Sequence, residues 1–126
     1  MKKYIGIPFK DGEPSFTGAN CITLCELFYY NELKISIPKI RVESSNTKRV
    51  FLEYLYQISN NWTKVEEPKL YDIVAMSRDL KHPNMVQHFG IYLGNGKILH
   101  SLEKVGSHVV SIVEMKVFIK GFYRWH

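Results

Sequence analysis

The chain has 126 residues, 45% hydrophobic, 13% aromatic and 23% charged, which is room for one core-forming domain and too little for two ordinary ones. That composition is neither disordered nor membrane-like. The net charge of +5, from 17 basic and 12 acidic residues, is spread over both halves with only pairs such as Lys2-Lys3 and Lys48-Arg49, so no nucleic-acid partner is expected, although the excess suits a polyanionic surface.

The first residues carry positive charge but no long apolar run, so no signal peptide is expected. Nowhere do about 18 apolar residues follow one another, so no transmembrane segment is expected either. Gly6, Pro8, Gly12, Pro14, Gly18 and Asn20 punctuate an irregular entry loop. From Cys21 the character changes. Cys21, Leu24, Cys25 and Phe28 fall at i, i+3, i+4 and i+7, the stripe of an amphipathic helix that Asn20 can cap and that should end near Asn31. A loop containing Pro38 leads to a second helix over Thr47–Ser59, stopped by Asn60-Asn61.

Beyond Pro68 five short runs rich in β-branched and aromatic residues predict strands, at 70–77, 86–93, 97–102, 109–115 and 117–123. Gly94-Asn95-Gly96 is a strong hairpin signal, and Gly106-Ser107 reads as a second turn. Helices followed by antiparallel strands predict an α+β fold, with N-terminal helices packed on a sheet of about five strands and residues 1–126 forming a single domain.

The chemistry concentrates in one cysteine and two histidines. Cys21 stands at the predicted first helical residue, where free backbone N–H groups and the helix dipole favour a thiolate. The same N–H groups can stabilise an oxyanion. A base is still needed, and a second polar group to hold it. His88 and His100 lie on the two arms of the predicted hairpin, and register decides whether they meet. A two-residue loop, Asn95-Gly96, sets His100 opposite Ile91 and sends the two rings to opposite faces. A three-residue loop, Gly94 to Gly96, sets His100 opposite Gly90. His88 is then a diagonal neighbour roughly 7–8 Å away on the same face. Phe89, Ile91 and Leu99 would form the core-facing side.

Plainer readings stand beside this one. A lone helix cysteine is usually a small buried apolar group, and Cys25 is read that way. Cys21, Cys25, His88 and His100 could together form a Cys₂His₂ zinc set, but their spacing matches no standard finger. No metal or cofactor is therefore called for. His82, beside Pro83, and His126 are read as solvated, and His108 as a residue following a turn.

Pro8-Phe9-Lys10-Asp11-Gly12, Gly18-Ala19-Asn20-Cys21 before a helix, and Tyr71-Asp72-Ile73-Val74 resemble motifs of the NlpC-type papain-like cysteine peptidases. His88-Phe89-Gly90-Ile91-Tyr92 with Ile98-Leu99-His100-Ser101 resembles that family's most specific segment. Order and spacing agree over nearly the whole chain. The resemblance implies a papain-like core and a thiol peptidase that hydrolyses amide bonds in peptidoglycan stem peptides, commonly of γ-D-glutamyl–diamino acid type. Carried over by position, Cys21 is the nucleophile, His88 the general base and His100 the residue that orients it, while Phe9, Asn20 and Thr23 stand where the substrate would be met.

The sequence also departs from the family pattern. Phe9 replaces a tyrosine, Asn20 an aspartate, and Thr23, Glu13 and Tyr71 replace glycines. The resemblance further implies action at the cell wall and, without an export signal, delivery by a phage tail or a secretion system. Two other readings remain: a non-catalytic structural module in phage tail assembly, and an acyl-transfer or deamidase thiol enzyme.

Overall fold

The computed structural model describes all of residues 1–126. Asn20 starts the first helix, α1 (Cys21–Phe28), by a capping box. Its Oδ1 accepts from the Ile22 and Thr23 N–H groups at 2.9 and 2.8 Å, and Thr23 Oγ1 accepts from the Asn20 N–H at 2.9 Å. Two orphan donors of the first turn are thereby satisfied. The predicted end near Asn31 falls inside a widened π turn, Tyr29–Leu33, that stops at Lys34 with φ of 57°. The wider turn keeps Tyr29 and Leu33 against the same core as Phe28. The second helix, α2 (Thr47–Ile58), is capped by Asn46, whose Oδ1 accepts from the Arg49 N–H.

The fold is α+β, as expected, but the antiparallel sheet has six strands rather than five. They are β1 (Trp62–Val65), β2 (Ile73–Met76), β3 (His88–Gly94), β4 (Lys97–Leu102), β5 (Gly106–Ser111) and β6 (Ile119–Trp125), in the order β1-β6-β2-β3-β4-β5. The missed strand, β1, is a four-residue edge strand paired with β6, where Trp62 meets Trp125 edge to face at 5.1 Å. It follows Asn60-Asn61 so closely that the stop signal masked it.

A second correction concerns the run 109–115. Its strand ends at Ser111, whose hydroxyl accepts from the Val113 N–H and starts a short helix, α3 (Ile112–Met115). Gly106-Ser107 is not a turn but the opening of β5; the turn is at 103–105. Ser107 Oγ accepts from the Ile7 N–H at 2.7 Å and donates to the Tyr4 carbonyl at 2.6 Å. A hydroxyl that reads as turn chemistry instead ties the entry loop to the sheet.

Both helices cover one sheet face. Leu24, Cys25 and Phe28 of α1 pack with Ile91 and Leu99, the face expected to be apolar. Phe51, Tyr54 and Ile58 of α2 pack near Phe89 and Tyr123. The opposite face carries Val74, Met76 and Ile98, closed by Met115 and aromatic side chains.

Asp72 anchors the entry to β2. It is 3% exposed and accepts two bonds from Arg124, at 3.0 and 2.7 Å, plus one from the Lys69 N–H at 2.7 Å. A bidentate pair with a backbone donor uses most of the carboxylate's lone pairs. Asp72→Asn should therefore lower unfolding stability by about 1–3 kcal/mol in urea titration, because an amide offers a donor where two donors already point.

Candidate active site

The β3–β4 hairpin contains both loop geometries considered from the sequence. Asn95 and Gly96 have φ of 52° and 72° and form a tight two-residue turn that pairs Gly94 with Lys97. The register then shifts between Tyr92 and Gly94, so Leu93 is an extra residue and Gly90 comes to face His100. His88 and His100 therefore share a face. His88 Nε2 lies 2.8 Å from His100 Nδ1, with the rings edge to face at 5.0 Å.

Gly90 is what admits the His100 backbone. A Cβ there would lie 2.5 Å from Ile98 Cγ2, 3.0 Å from the Leu99 carbonyl oxygen and 3.3 Å from His100 Cβ. Any side chain at Gly90 would thus collide with the β4 backbone and Ile98.

Hairpin pairing stops at Gly90 and His100. On either side of His88, the Gln87 carbonyl and Phe89 N–H meet the α1 N-terminus instead. Cys21 Sγ is 3.9 Å from the Gln87 carbonyl oxygen, and the Phe89 N–H is near enough to favour the thiolate form of the sulfur. The backbone flanking His88 is thus in contact with the Cys21 thiol. The Asn20 cap uses the Ile22 and Thr23 amides and leaves the Cys21 N–H beside its own sulfur.

The electrostatics differ from the expected lowered thiol. Burial pushes Cys21 up to about 12, and N–H groups of Phe89, Cys21 and Ile22 only partly offset this. Burial first, then the neighbouring His100, Arg78 and His108, holds His88 well below the ordinary imidazole range. His100 is lowered to about 4 by burial and then by His108 and Arg78. At neutral pH the site rests as a thiol and neutral rings.

Among the remaining predicted residues, Phe9 lines the same polar cleft as Cys21, together with Arg78, Gln87, Ser101 and Glu103. Asn20 and Thr23 do not line it. Both are buried, and their polar atoms are used in the helix cap, with Asn20 Nδ2 also donating to Asp11 Oδ1 at 3.0 Å. Arg78 Nε and Ser101 Oγ are buried without hydrogen-bond partners. Cys25 belongs to the core, its thiol donating to the Cys21 carbonyl, and no group of three or more His, Cys, Asp or Glu side chains is arranged to hold a metal ion. His82 is partly buried, with its Nδ1 3.1 Å from Asp79 Oδ2, whereas His126 is exposed as expected, with its Nδ1 2.8 Å from Thr63 Oγ1.

The residue that sequence reasoning passed over is His108. It stands directly opposite His100 on β5, with 3.2 Å between the two Nε2 atoms. Alternation from His100 through the 103–105 turn carried the signal, but it was readable only once the start of β5 was known.

The family model described as NlpC/P60 matches residues 6–124, and no curated protein matches significantly. Among solved structures, the NlpC/p60 domain of the peptidoglycan hydrolase SagA is similar at a TM-score of 0.67 and 19% identity, over 98% of this chain and 91% of that one. NlpC2 from Trichomonas vaginalis gives 0.71 and 19%, over 98% of this chain and 44% of that one. A lipoprotein-like member of the family from Staphylococcus aureus subsp. aureus Mu50 gives 0.64 and 21%, over 98% and 38%. The chain spans less than half the length of the last two.

Two outcomes are expected at this site. Gly90→Ala should cost about 1–3 kcal/mol in stability through overpacking, and should lengthen the His88–His100 contact in a crystal structure. Acid should also weaken the fold selectively. Because both folded imidazoles are lowered, the unfolded chain binds more protons once pH falls below about 6.5. Stability is fully present above that value and is lost as pH falls toward the folded values. Urea midpoints measured between pH 7.5 and 4.5 should fall by the equivalent of about 3 kcal/mol, with less loss in His100→Gln. Asp79, lowered to about 2 by its bonds to Thr47 and His82, responds only below this window.

Proposed function

The chain belongs to the NlpC/P60 family, and from that premise we propose that residues 1–126 are one cysteine peptidase domain hydrolysing amide bonds in peptidoglycan stem peptides, of γ-D-glutamyl–diamino acid type. The observation that supports this reading best is the thiol of Cys21 at a capped helix start, held against the backbone on both sides of His88, with His88 bonded to His100.

In this reading Cys21 is the nucleophile. As Sγ attacks the amide carbon, its proton passes to His88, and the carbonyl oxygen becomes an oxyanion beside the Cys21 N–H. Collapse breaks the C–N bond, His88 returns the proton to the departing amine, and a thioester remains. Water then attacks the thioester while His88 takes its proton, releasing the carboxylate and restoring the thiol. His100 holds the imidazole. Because the thiol is raised and His88 lowered, proton transfer accompanies attack rather than preceding it as a stable ion pair.

Phe9 lines the cleft and shapes substrate fit, whereas Asn20 and Thr23 act through the placement of Cys21. Arg78 and Ser101 offer polar atoms that a peptide carboxylate and amide could satisfy. The proposal includes delivery to the wall by a phage tail or secretion system, where a +5 surface favours approach to an anionic polymer.

Purified bacterial peptidoglycan digested with the wild type should release stem fragments identifiable by mass. Cys21→Ala, with a melting curve close to wild type, and His88→Ala, assayed below its lowered melting temperature, should each reduce the rate by at least ~10³-fold. Equal release by the wild type and Cys21→Ala would overturn the cysteine mechanism. Silence from the wild type would favour the structural module, and acyl transfer without hydrolysis would favour the thiol-transferase reading.

A further inference from the structure

His108 extends the two-histidine contact into a chain with a definite direction. Its Nδ1 is 2.9 Å from the Gly106 carbonyl oxygen. A carbonyl can only accept, so this nitrogen carries a proton. In a neutral ring the other nitrogen, Nε2, is then a bare lone pair. It faces His100 Nε2 at 3.2 Å, so His100 Nε2–H is the donor. The remaining nitrogen of His100, Nδ1, is therefore bare and accepts from His88 Nε2–H at 2.8 Å. Three bonds run the same way, and the last ring is left with Nδ1 unprotonated. That is the state a base needs.

We propose that His108 is a positioning residue: by accepting from His100 it transmits the polarity of the Gly106 carbonyl through two imidazoles and sets His88 in the tautomer whose Nδ1 can take a proton from Cys21. Losing this acceptor leaves a donor of the fully buried His100 unmet, and a buried unmet donor is costly. His100 then turns over to the Nδ1–H form, whose proton opposes the one on His88 Nε2. His88 must follow, and its outer nitrogen becomes protonated. The inference rests on the Cys21–His88 chemistry proposed above, but its first test does not need the peptidoglycan substrate.

The test is ¹⁵N–¹H long-range correlation NMR of the imidazoles in the full chain at pH 8, above the ordinary imidazole range. Wild type should show His88 and His100 as Nε2–H and His108 as Nδ1–H. Alkylation of Cys21 by iodoacetamide, followed by peptide mass, gives a second readout independent of wall chemistry. His108→Leu should admit the Nδ1–H form of His88 and slow alkylation about tenfold. His108→Gln, whose side-chain carbonyl can accept from His100, should stay close to wild type in both readouts.

A wild-type spectrum with His88 as Nδ1–H would overturn the proposal, even if the leucine variant failed to fold. So would a folded His108→Leu with the same His88 tautomer and alkylation rate as wild type. The expected tautomers in a protein that does not cleave peptidoglycan would overturn the proposed function while supporting this one.

Discussion

The β3–β4 hairpin must meet two demands that a tight turn alone cannot meet together. Asn95-Gly96 gives the closest reversal available to a right-twisted pair of strands, both residues taking positive φ. Continued without interruption, that turn would place His100 opposite Ile91 and put the imidazoles on opposite faces. The extra residue at Leu93 shifts the pairing by one and restores Gly90 opposite His100. Apolar burial also depends on this register: Ile91 and Leu99 face α1 only when His88 and His100 face each other. Core and site are therefore specified by the same one-residue shift, and neither can slip without the other.

Burial sets the chemistry of what the hairpin assembles. Cys21, His88 and His100 are 3%, 4% and 0% exposed, so any charge placed on them loses solvation. The α1 N-terminus supplies N–H groups that favour a thiolate, but the medium around the sulfur opposes it more strongly. Burial therefore disfavours a stored ion pair here, and the rings are held by directional contacts between imidazoles. Orientation then matters more than charge, which is the physical ground for proposing that a third imidazole and a backbone carbonyl set the tautomer of His88.

Much of this was readable in the sequence, and the failures have local causes. The stripe Cys21, Leu24, Cys25, Phe28 and the cap at Asn20 located α1, because helix starts are written in adjacent residues. Gly94-Asn95-Gly96 marked the hairpin for the same reason. By contrast, Trp62–Val65 forms a strand only because β6 lies beside it, and Ser107 opens β5 because Tyr4 and Ile7, a hundred residues away in the chain, take its hydroxyl. His108 was obscured by the same error, since its partner follows from where β5 begins. The thiol's raised pKa was also out of reach: the helix terminus is local, but the burial around it is tertiary.

The departures from the family pattern separate into scaffold and cleft when placed in the fold. Asn20 and Thr23 complete a reciprocal cap, so the loss of a charged side chain and of a glycine leaves the helix start satisfied. Tyr71 occupies a backbone with φ of 72°, the left-handed region where a glycine would be unstrained. The tyrosine adds contacts there: its ring packs on Phe28 at 5.0 Å, and its carbonyl accepts from Tyr29 Oη at 2.5 Å. Aromatic burial thus offsets a backbone cost of order 1 kcal/mol. Of the five substituted positions, only Phe9 lines the cleft with Cys21, and Glu13 pairs instead with Arg41 at 3.0 Å. Divergence at Asn20, Thr23 and Tyr71 has therefore been absorbed by capping and packing, and under the proposed function any change in substrate fit is to be sought at Phe9 and across the cleft from it.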